Sequence, residues 1–454
     1  MTIQEDVQDL HNKLNGNHGV LSTNRSYYEA TYRPKAIGVS TPPEMRHLLA
    51  QNGWGRMYVG AIEERLDLEG FRMAGSSEAD ERLWSWWQAN HLDTESSLAH
   101  TESLVHGRSY VIVSGPDEAD PFADPETPVI KLESPFNMYA DTDPRTGRVR
   151  KALRVYRDLN DEHATLYLPG QILHLVRSRT GWQVDEMVET GVPFTTVVAL
   201  TNNASLTDRV GGSEITTELR STIDSASRLM MDLQAAAELM AVPQRLLFGV
   251  AQEALQANPE DPGSVLEAYF ARIIAIEDSD AHAMQFSAAD LRNFVDGMAE
   301  LTRQAASYTG LPPQYLAYSS DNPASAEAIR SSESRLVKKA ERKAKHFGGG
   351  WEDVMRMAMW IMDGEITPEA RRMETIWRDP ATPTYAAKAD AVQKLYSAGQ
   401  GVIPLERARI DMGYSVEERR QMKKWDQDNP TNQLNALMGL GSSPVKEEPT
   451  PEEQ

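Results

Sequence analysis

The sequence predicts an α+β protein, and three observations carry that expectation. Between residues 107 and 200, short β-branched and aromatic segments follow one another with turns but no helices between them. From Gly211 onward, long stretches instead repeat apolar residues every three or four positions. The two regimes are segregated along the chain, which favours antiparallel strands over alternating βαβ units. The length, 454 residues, suits two to four folding units at about 100–200 residues each.

The elements follow in order. Val7, Leu10 and Leu14 predict a short helix over 3–15. Tyr27 and Tyr28 precede a Pro- and Thr-rich loop from Pro34 to Pro43, and residues 45–70 mix helix and strand signals, with Gly70 as a turn. Residues 78–106 read as helical, with Leu83, Trp84, Trp87, His91 and Leu92 near one face and a second run from Thr94 to His106. Gly107 ends that run and SYVIVS opens the β region. VIKLES, NMYADT, VRKALRVYRD, ATLYLPG, QILHLVRS and WQVDEM are the further strands, with a turn at Asp143–Gly147.

Helical spacing then returns. Ile215, Leu219, Ile223, Ala226, Met230, Leu233, Ala237 and Met240 mark a helix over 214–240, with Ser213 as N-cap and Glu214 in the first turn. Pro243 ends it, and RLLFGV and IIAIE are β-like pieces within 243–289. A second helix runs from Asp290 to Tyr308, where Ser287 and Asp290 have capping-box spacing. Leu291, Phe294, Val295, Met298, Leu301 and Ala305 form its stripe, and Gly310, Pro312 and Pro313 stop it. After the polar segment QYLAYSSDN, Asn322 as N-cap and Pro323 at the first position start a third helix that runs to Phe347. Gly348, Gly349 and Gly350 interrupt it, and helix resumes from Trp351 to Met362. TIWRDP is a short strand, 383–398 and 404–424 are helical, and the last fourteen residues read as a disordered acidic tail.

Composition removes several chemistries. The 67 acidic and 46 basic residues leave a net charge of −21, which excludes a general basic nucleic-acid wrapper. Cysteine is absent, so disulfides, thiolate zinc sites, iron–sulfur clusters and a Cys nucleophile are excluded. The N-terminus is polar and acidic, and no stretch approaches the roughly 18 apolar residues of a membrane span, so a soluble, cytoplasmically made protein without a membrane partner is expected. Charge is also uneven. Residues 211–310 carry 15 acidic and 6 basic residues, no lysine occurs between Lys151 and Lys338, and four lysines and three arginines then fall within 330–345.

The catalytic motifs GxxxxGK[ST], GxSxG and HExxH are missing. His100 and His106 lie six apart, the wrong spacing for two ligands on one helix face, and Trp84, Trp86 and Trp87 fit core packing better than a ligand platform. Asp141 with Asp143, and Asp278 with Asp280, have the alternation that suits Mg²⁺ or Ca²⁺, although the first pair sits in a turn where Asp is expected anyway. No catalytic residue, metal or cofactor is therefore assigned. A metal-dependent nuclease using these aspartates is the alternative from another functional class.

Six segments, in this order, carry a resemblance: IEERLDLEGFR; LWSWWQANHLDTESSLAHTESLVHGRSYVIV; SPFNMYADTDPRTGRVRKALRVYRD; GGSEITTELRSTIDSASRLMMD; TGLPPQYLAYSSDNPASAEAIRSSESRLVKKAERK; and AAKADAVQKLYSAGQGVIPLERARIDMGYS. None is specific alone, but their order over residues 27–415 resembles the portal proteins of tailed bacteriophages, siphovirus type, Gp6-like. The resemblance implies a portal fold: a mixed α/β wing (1–210), a stem helix (211–241), a small α/β clip (242–289), a second stem helix (290–310), a tunnel loop (311–322), a long helix and wing return (323–382), and a helical crown (383–440), with the tail at 441–454. It implies a dodecameric ring at one capsid vertex of the virion, with double-stranded DNA passing through its channel. The implied partners are further copies, terminase, major capsid and scaffold proteins, and a head–tail connector protein. Tyr315, Tyr318, Ser319, Ser320, Asp321 and Asn322 would line the channel as the tunnel loop. Lys338, Lys339, Arg342, Lys343 and Lys345 would contact DNA or, by preference, acidic residues of a neighbouring subunit. A minor capsid or adaptor protein of the same virion is the remaining alternative.

Overall fold

The computed structural model describes residues 2–33, 51–76, 78–116, 121, 124–159, 161–179, 181–241, 245–248, 273–276, 291–316, 326–381, 385–396, 401–414 and 416–428. Within them the chain is a mixed helical and sheet protein, as its segregated periodicities predict.

Helix α1 (Ile3–Tyr28) is longer than its first apolar triplet implies, because the apolar face continues through Leu21 and Tyr27. A reciprocal Thr2–Glu5 capping box starts it, and neither Gly16 nor Gly19 breaks it. Helix α2 (Trp54–Glu63) leads to strand β1 (Leu68–Arg72). Gly70 lies inside β1, at a register shift, rather than in a turn. Helices α3 (Glu81–Ala89) and α4 (Leu92–His106) are separate: His91 takes a left-handed conformation between them, and the Asp80 side chain caps α3 by accepting from the Leu83 N–H.

The β region is antiparallel throughout. Strand β2 (Arg108–Ser114) pairs with β3 (Val129–Glu133) and with β9 (Val197–Thr201). Strands β4 (Met138–Thr142), β5 (Val149–Asp158), β6 (Asp161–Leu168), β7 (Gln171–Ser178) and β8 (Gly181–Glu189) form a five-stranded meander in chain order. Val7 and Leu10 of α1 pack against Leu153, Leu166, Leu173 and Trp182 of this meander, and all six are buried.

Helix α5 (Thr217–Ala241) starts three residues later than expected, with the Thr216 hydroxyl accepting from the Leu219 N–H at 3.5 Å. Strands β10 (Arg245–Phe248) and β11 (Ile273–Ile276) pair in parallel. Helix α6 (Arg292–Thr309) packs along α5 and ends on Gly310 in the left-handed region. Burial on the pair is concentrated at one end, at Leu219, Ile223 and Ala226 of α5 and Thr302, Ala305 and Ala306 of α6. Val295, expected on the apolar stripe, is 60% exposed. The short helix α7 (Pro313–Leu316) follows.

Helix α8 (Ala326–Asp363) corrects the sequence expectation most clearly. It runs uninterrupted for 38 residues, straight through Gly348, Gly349 and Gly350. The outer two glycines are there for proximity. A Cβ on Gly348 would lie 2.4 Å from Thr375 Oγ1, and one on Gly350 would lie 2.4 Å from Leu200 Cδ2. Their lack of side chains lets α8 rest directly on β9 and on β12 (Glu374–Trp377), which pairs antiparallel with the distant β1. Trp86, Trp87, Phe71, Phe347 and Trp351 fill the core beneath, with Trp87 edge-on to Trp351 at 4.8 Å. Trp86 and Trp87 are therefore core residues as expected, while Trp84 is partly buried and stacks on Trp87. The 3₁₀ turn Ala370–Arg372 precedes β12, and α9 (Tyr385–Tyr396), α10 (Leu405–Met412) and α11 (Val416–Asp428) complete the described chain. No helix among the described residues is long and apolar enough to cross a membrane.

Candidate functional site

The sequence holds two features far apart along the chain, the basic segment of α8 and the acidic start of α5. The fold joins them. Gly107 and Gly211 both have positive φ, and a Cβ on Gly211 would lie 2.4 Å from the Gly107 carbonyl oxygen. That close crossing seats the 202–214 loop on the α4–β2 junction. The Asn202 N–H donates to Gly107 O at 2.8 Å, and the Glu214 N–H donates to Leu104 O at 2.8 Å. Glu214 therefore precedes α5 rather than lying in its first turn, and its side chain points inward, 4% exposed.

Five groups converge on that carboxylate. The Tyr58 hydroxyl donates to Oε2 at 2.6 Å, and the side-chain amides of Asn202 and Asn203 donate to Oε1 at 3.2 and 2.9 Å. Lys343 Nζ stands 2.6 Å from Oε1 and also donates to Asn203 Oδ1 at 2.7 Å. Lys339 is one helical turn earlier on α8. It lies 3.8 Å from Glu214 Oε2, donates to Thr309 O at 3.1 Å and to the Tyr58 hydroxyl, and sits over the Tyr58 ring. Burial alone would raise the Glu214 pKa, but Lys343 and Lys339 outweigh it and draw it down to about 2. Burial together with the adjacent Glu214 charge raises the Tyr58 pKa, so Tyr58 stays a neutral donor. The Lys339 pKa is lowered chiefly by burial; Glu214 opposes this, and Lys343 and Arg335 add repulsion.

Outside this buried knot the same helix face lines an open cavity of about 650 Å³ with Arg335, Lys338, Arg342 and His346. Lys338 is bridged to Glu341 on its own helix, and Arg342 and Lys345 are exposed and make no ion pair among the described residues. Of the five basic residues singled out in the sequence, Lys339 and Lys343 thus meet a carboxylate of their own chain. Lys338, Arg342 and Lys345 face solvent. Sequence reasoning missed Tyr58, Asn202, Asn203 and the role of Glu214. The one available signal was the four-residue spacing of Lys339 and Lys343, which puts both ammonium groups on one side of α8.

The other singled-out residues are dispersed. Tyr315 is on α7, half-buried; its hydroxyl donates to Glu333 Oε1 at 2.7 Å and accepts from Arg65 Nη2 at 3.0 Å. Tyr318, Ser319, Ser320, Asp321 and Asn322 lie outside the described residues, as do Asp278, Asp280, Ser287, Asp290 and the 441–454 tail. Asp141 is engaged by Lys13 at 3.0 Å and by Lys151 at 3.6 Å. Asp143 Oδ1 accepts the Arg145 and Thr146 N–H groups, which lower its pKa and close the β4–β5 turn. Both aspartates serve the fold. Among the described residues no group of three or more His, Asp or Glu side chains is arranged to hold a metal ion.

Comparison with known families decides what such a chain is. The family described as phage portal protein, SPP1 Gp6-like, matches residues 7–433. The chain belongs to that family. The portal protein of Mycobacterium phage D29 is 52% identical over 426 residues, covering 93% of this chain and 87% of that protein. The portal protein of Mycobacterium phage L5 is 51% identical over the same length, covering 93% and 86%. Among solved structures, a chain of the virion of the native gene transfer agent (GTA) particle aligns with a TM-score of 0.45 at 14% identity, over 86% of this chain and 98% of that one. A chain of the neck of the native GTA particle aligns with a TM-score of 0.42 at 15% identity, over 86% and 99%. A phage portal protein is a structural virion component of the capsid vertex, not an enzyme. The Glu214 knot and the basic cavity of this portal protein are accordingly read for the contacts they make.

Proposed function

We propose that this portal protein closes into a dodecameric ring at one capsid vertex, that double-stranded DNA passes through its channel during packaging and ejection, and that the ring docks terminase and head–tail connector proteins. Scaffold and major capsid proteins are its further neighbours. In this reading 1–210 is wing, 211–241 and 290–310 are the stem helices, 242–289 is clip, 311–322 is tunnel loop, 323–382 is the long helix and wing return, and 383–440 is crown. Tyr315 anchors the base of the tunnel loop through Glu333 and Arg65, and Tyr318, Ser319, Ser320, Asp321 and Asn322 face DNA.

Membership of the portal family over residues 7–433 carries the reading. Two features of the chain support it. Away from the body the α5–α6 pair leaves Val295 exposed and Met298 and Leu233 only partly buried, as suits helices that pack against copies of themselves in a head-to-tail ring. Its exposed carboxylates include Glu218, Asp232, Asp296 and Glu300, and an acidic wall keeps duplex DNA from sticking.

Electron microscopy of the purified chain, with mass measurement on the same sample, tests the ring. Closed rings with a central hole are expected; a uniform monomer would refute the ring. Deleting 316–321 is expected to leave rings intact and to impair DNA filling of particles. Normal filling would refute the tunnel-loop assignment.

A further inference from the structure

We propose that the cavity beside α8 is a carboxylate-binding site for a second copy of this chain, one half of a subunit–subunit contact; the inference rests on the ring reading above. Five basic side chains line the cavity, Arg335, Lys338, Lys339, Arg342 and Lys343, against a single lining carboxylate, Glu214. Glu214 is already saturated by Tyr58, Asn202, Asn203 and Lys343. Lys338 is also bridged to Glu341, and the Arg335 and Arg342 charges still leave the cavity an uncompensated positive charge on a chain whose net charge is −21.

Shape and charge favour protein carboxylates over DNA. Lys339 and Lys343 are recessed, with side chains 27% and 11% exposed, while Lys338 is 62% exposed at the rim. A single Asp or Glu side chain can enter such a recess. A duplex presents its phosphates on a convex surface, which meets rim groups only. The chain as a whole carries 67 acidic against 46 basic residues, so each copy has carboxylates to offer as the complement of this cavity in its neighbour, as a heterologous contact requires.

The test uses the full chain with Lys338→Glu and Arg342→Glu combined, both exposed and outside the buried knot, beside the milder Lys338→Gln and Arg342→Gln pair. Circular dichroism confirms folding, and mass photometry reads ring content across a salt series. The reversal pair is expected to weaken association about tenfold or more, with the neutral pair intermediate and wild-type rings falling apart as salt rises. In rings mixed from ¹⁴N- and ¹⁵N-labelled chains, carbodiimide is expected to link Lys338 or Lys339 to an Asp or Glu of the other isotope. Rings of unchanged salt stability in both variants would overturn this inference and leave the ring reading standing. Absence of rings from wild type would overturn the ring reading and this inference with it. Intact variant rings that lose affinity for a labelled duplex would show the cavity to be a DNA contact instead, and also overturn it.

Discussion

Placing an alanine at Gly348 and, separately, at Gly349 tests why three glycines sit inside a 38-residue helix. Gly349 points to open space, with no atom within 4 Å of a built Cβ. Gly349→Ala is therefore expected to stabilise the chain by about 0.5–1 kcal/mol through helix propensity and a less flexible unfolded chain. At Gly348 the new Cβ would lie 2.4 Å from Thr375 Oγ1 and 3.2 Å from Trp377 Nε1. Thr375 Oγ1 accepts from Trp377 Nε1 at 2.9 Å, so moving it also breaks that hydrogen bond. Overpacking costs about 1–3 kcal/mol. The lost hydrogen bond costs about 1 kcal/mol. The gained propensity returns about 1 kcal/mol. Gly348→Ala should thus lose about 1–3 kcal/mol net, which makes it about 1.5–4 kcal/mol less stable than Gly349→Ala. The assay is urea unfolding followed by tryptophan fluorescence, which reports on Trp351 and Trp377, with the midpoints of the two variants compared. Equal midpoints, or a more stable Gly348→Ala, would refute the view that these glycines serve the close seating of α8 on β12.

Three further outcomes follow from other sites. Glu214→Gln leaves Lys339 and Lys343 without their counter-charge and is expected to cost about 3 kcal/mol at neutral pH. Because the folded Glu214 pKa lies near 2 against an ordinary 4.5, its stabilisation is present above about 4.5 and is lost as pH falls toward 2. The gap between wild-type and variant urea midpoints should close over that window, and a pH-independent gap would contradict the pairing. Lys151, 7% exposed, reaches Asp6 at 2.7 Å and Asp9 at 3.5 Å on α1, and Asp141 at 3.6 Å on β4. Lys151→Ala should cost about 2–3 kcal/mol, below a fully buried pair because the carboxylates keep some water, and should speed amide exchange in α1; unchanged exchange would count against it. Asp80→Ala removes the α3 cap and should cost about 1 kcal/mol, read as a lower urea midpoint, whereas no shift would mean the cap is made by another group.

Much of this portal protein was legible locally. The Val7, Leu10 and Leu14 triplet of α1, the β-branched and aromatic runs of 107–200 and the α5 and α6 stripes are set by residues close together in the chain, which sequence displays directly. The ends of elements were less legible, because Glu214 competes for burial with residues of α2, α8 and the 202–203 turn that lie far away in the chain. The candidate site shows the same division. The basic run on α8 is plain in the sequence, and so is the contrast with the acidic segment before it.

What the sequence by itself determined is the family, the segregated α+β organisation, the acidic balance and the absence of thiol chemistry. Only the tertiary structure decided that α8 continues through its glycines, that β1 and β12 pair across some three hundred residues, and that Lys339 and Lys343 turn inward while Lys338 and Arg342 face a cavity. The physical reason is common to all three. A glycine breaks or permits a helix, and a lysine charges a surface or fills a buried pair, according to what packs against it. That neighbour is supplied by chain closure, not by the adjacent residues.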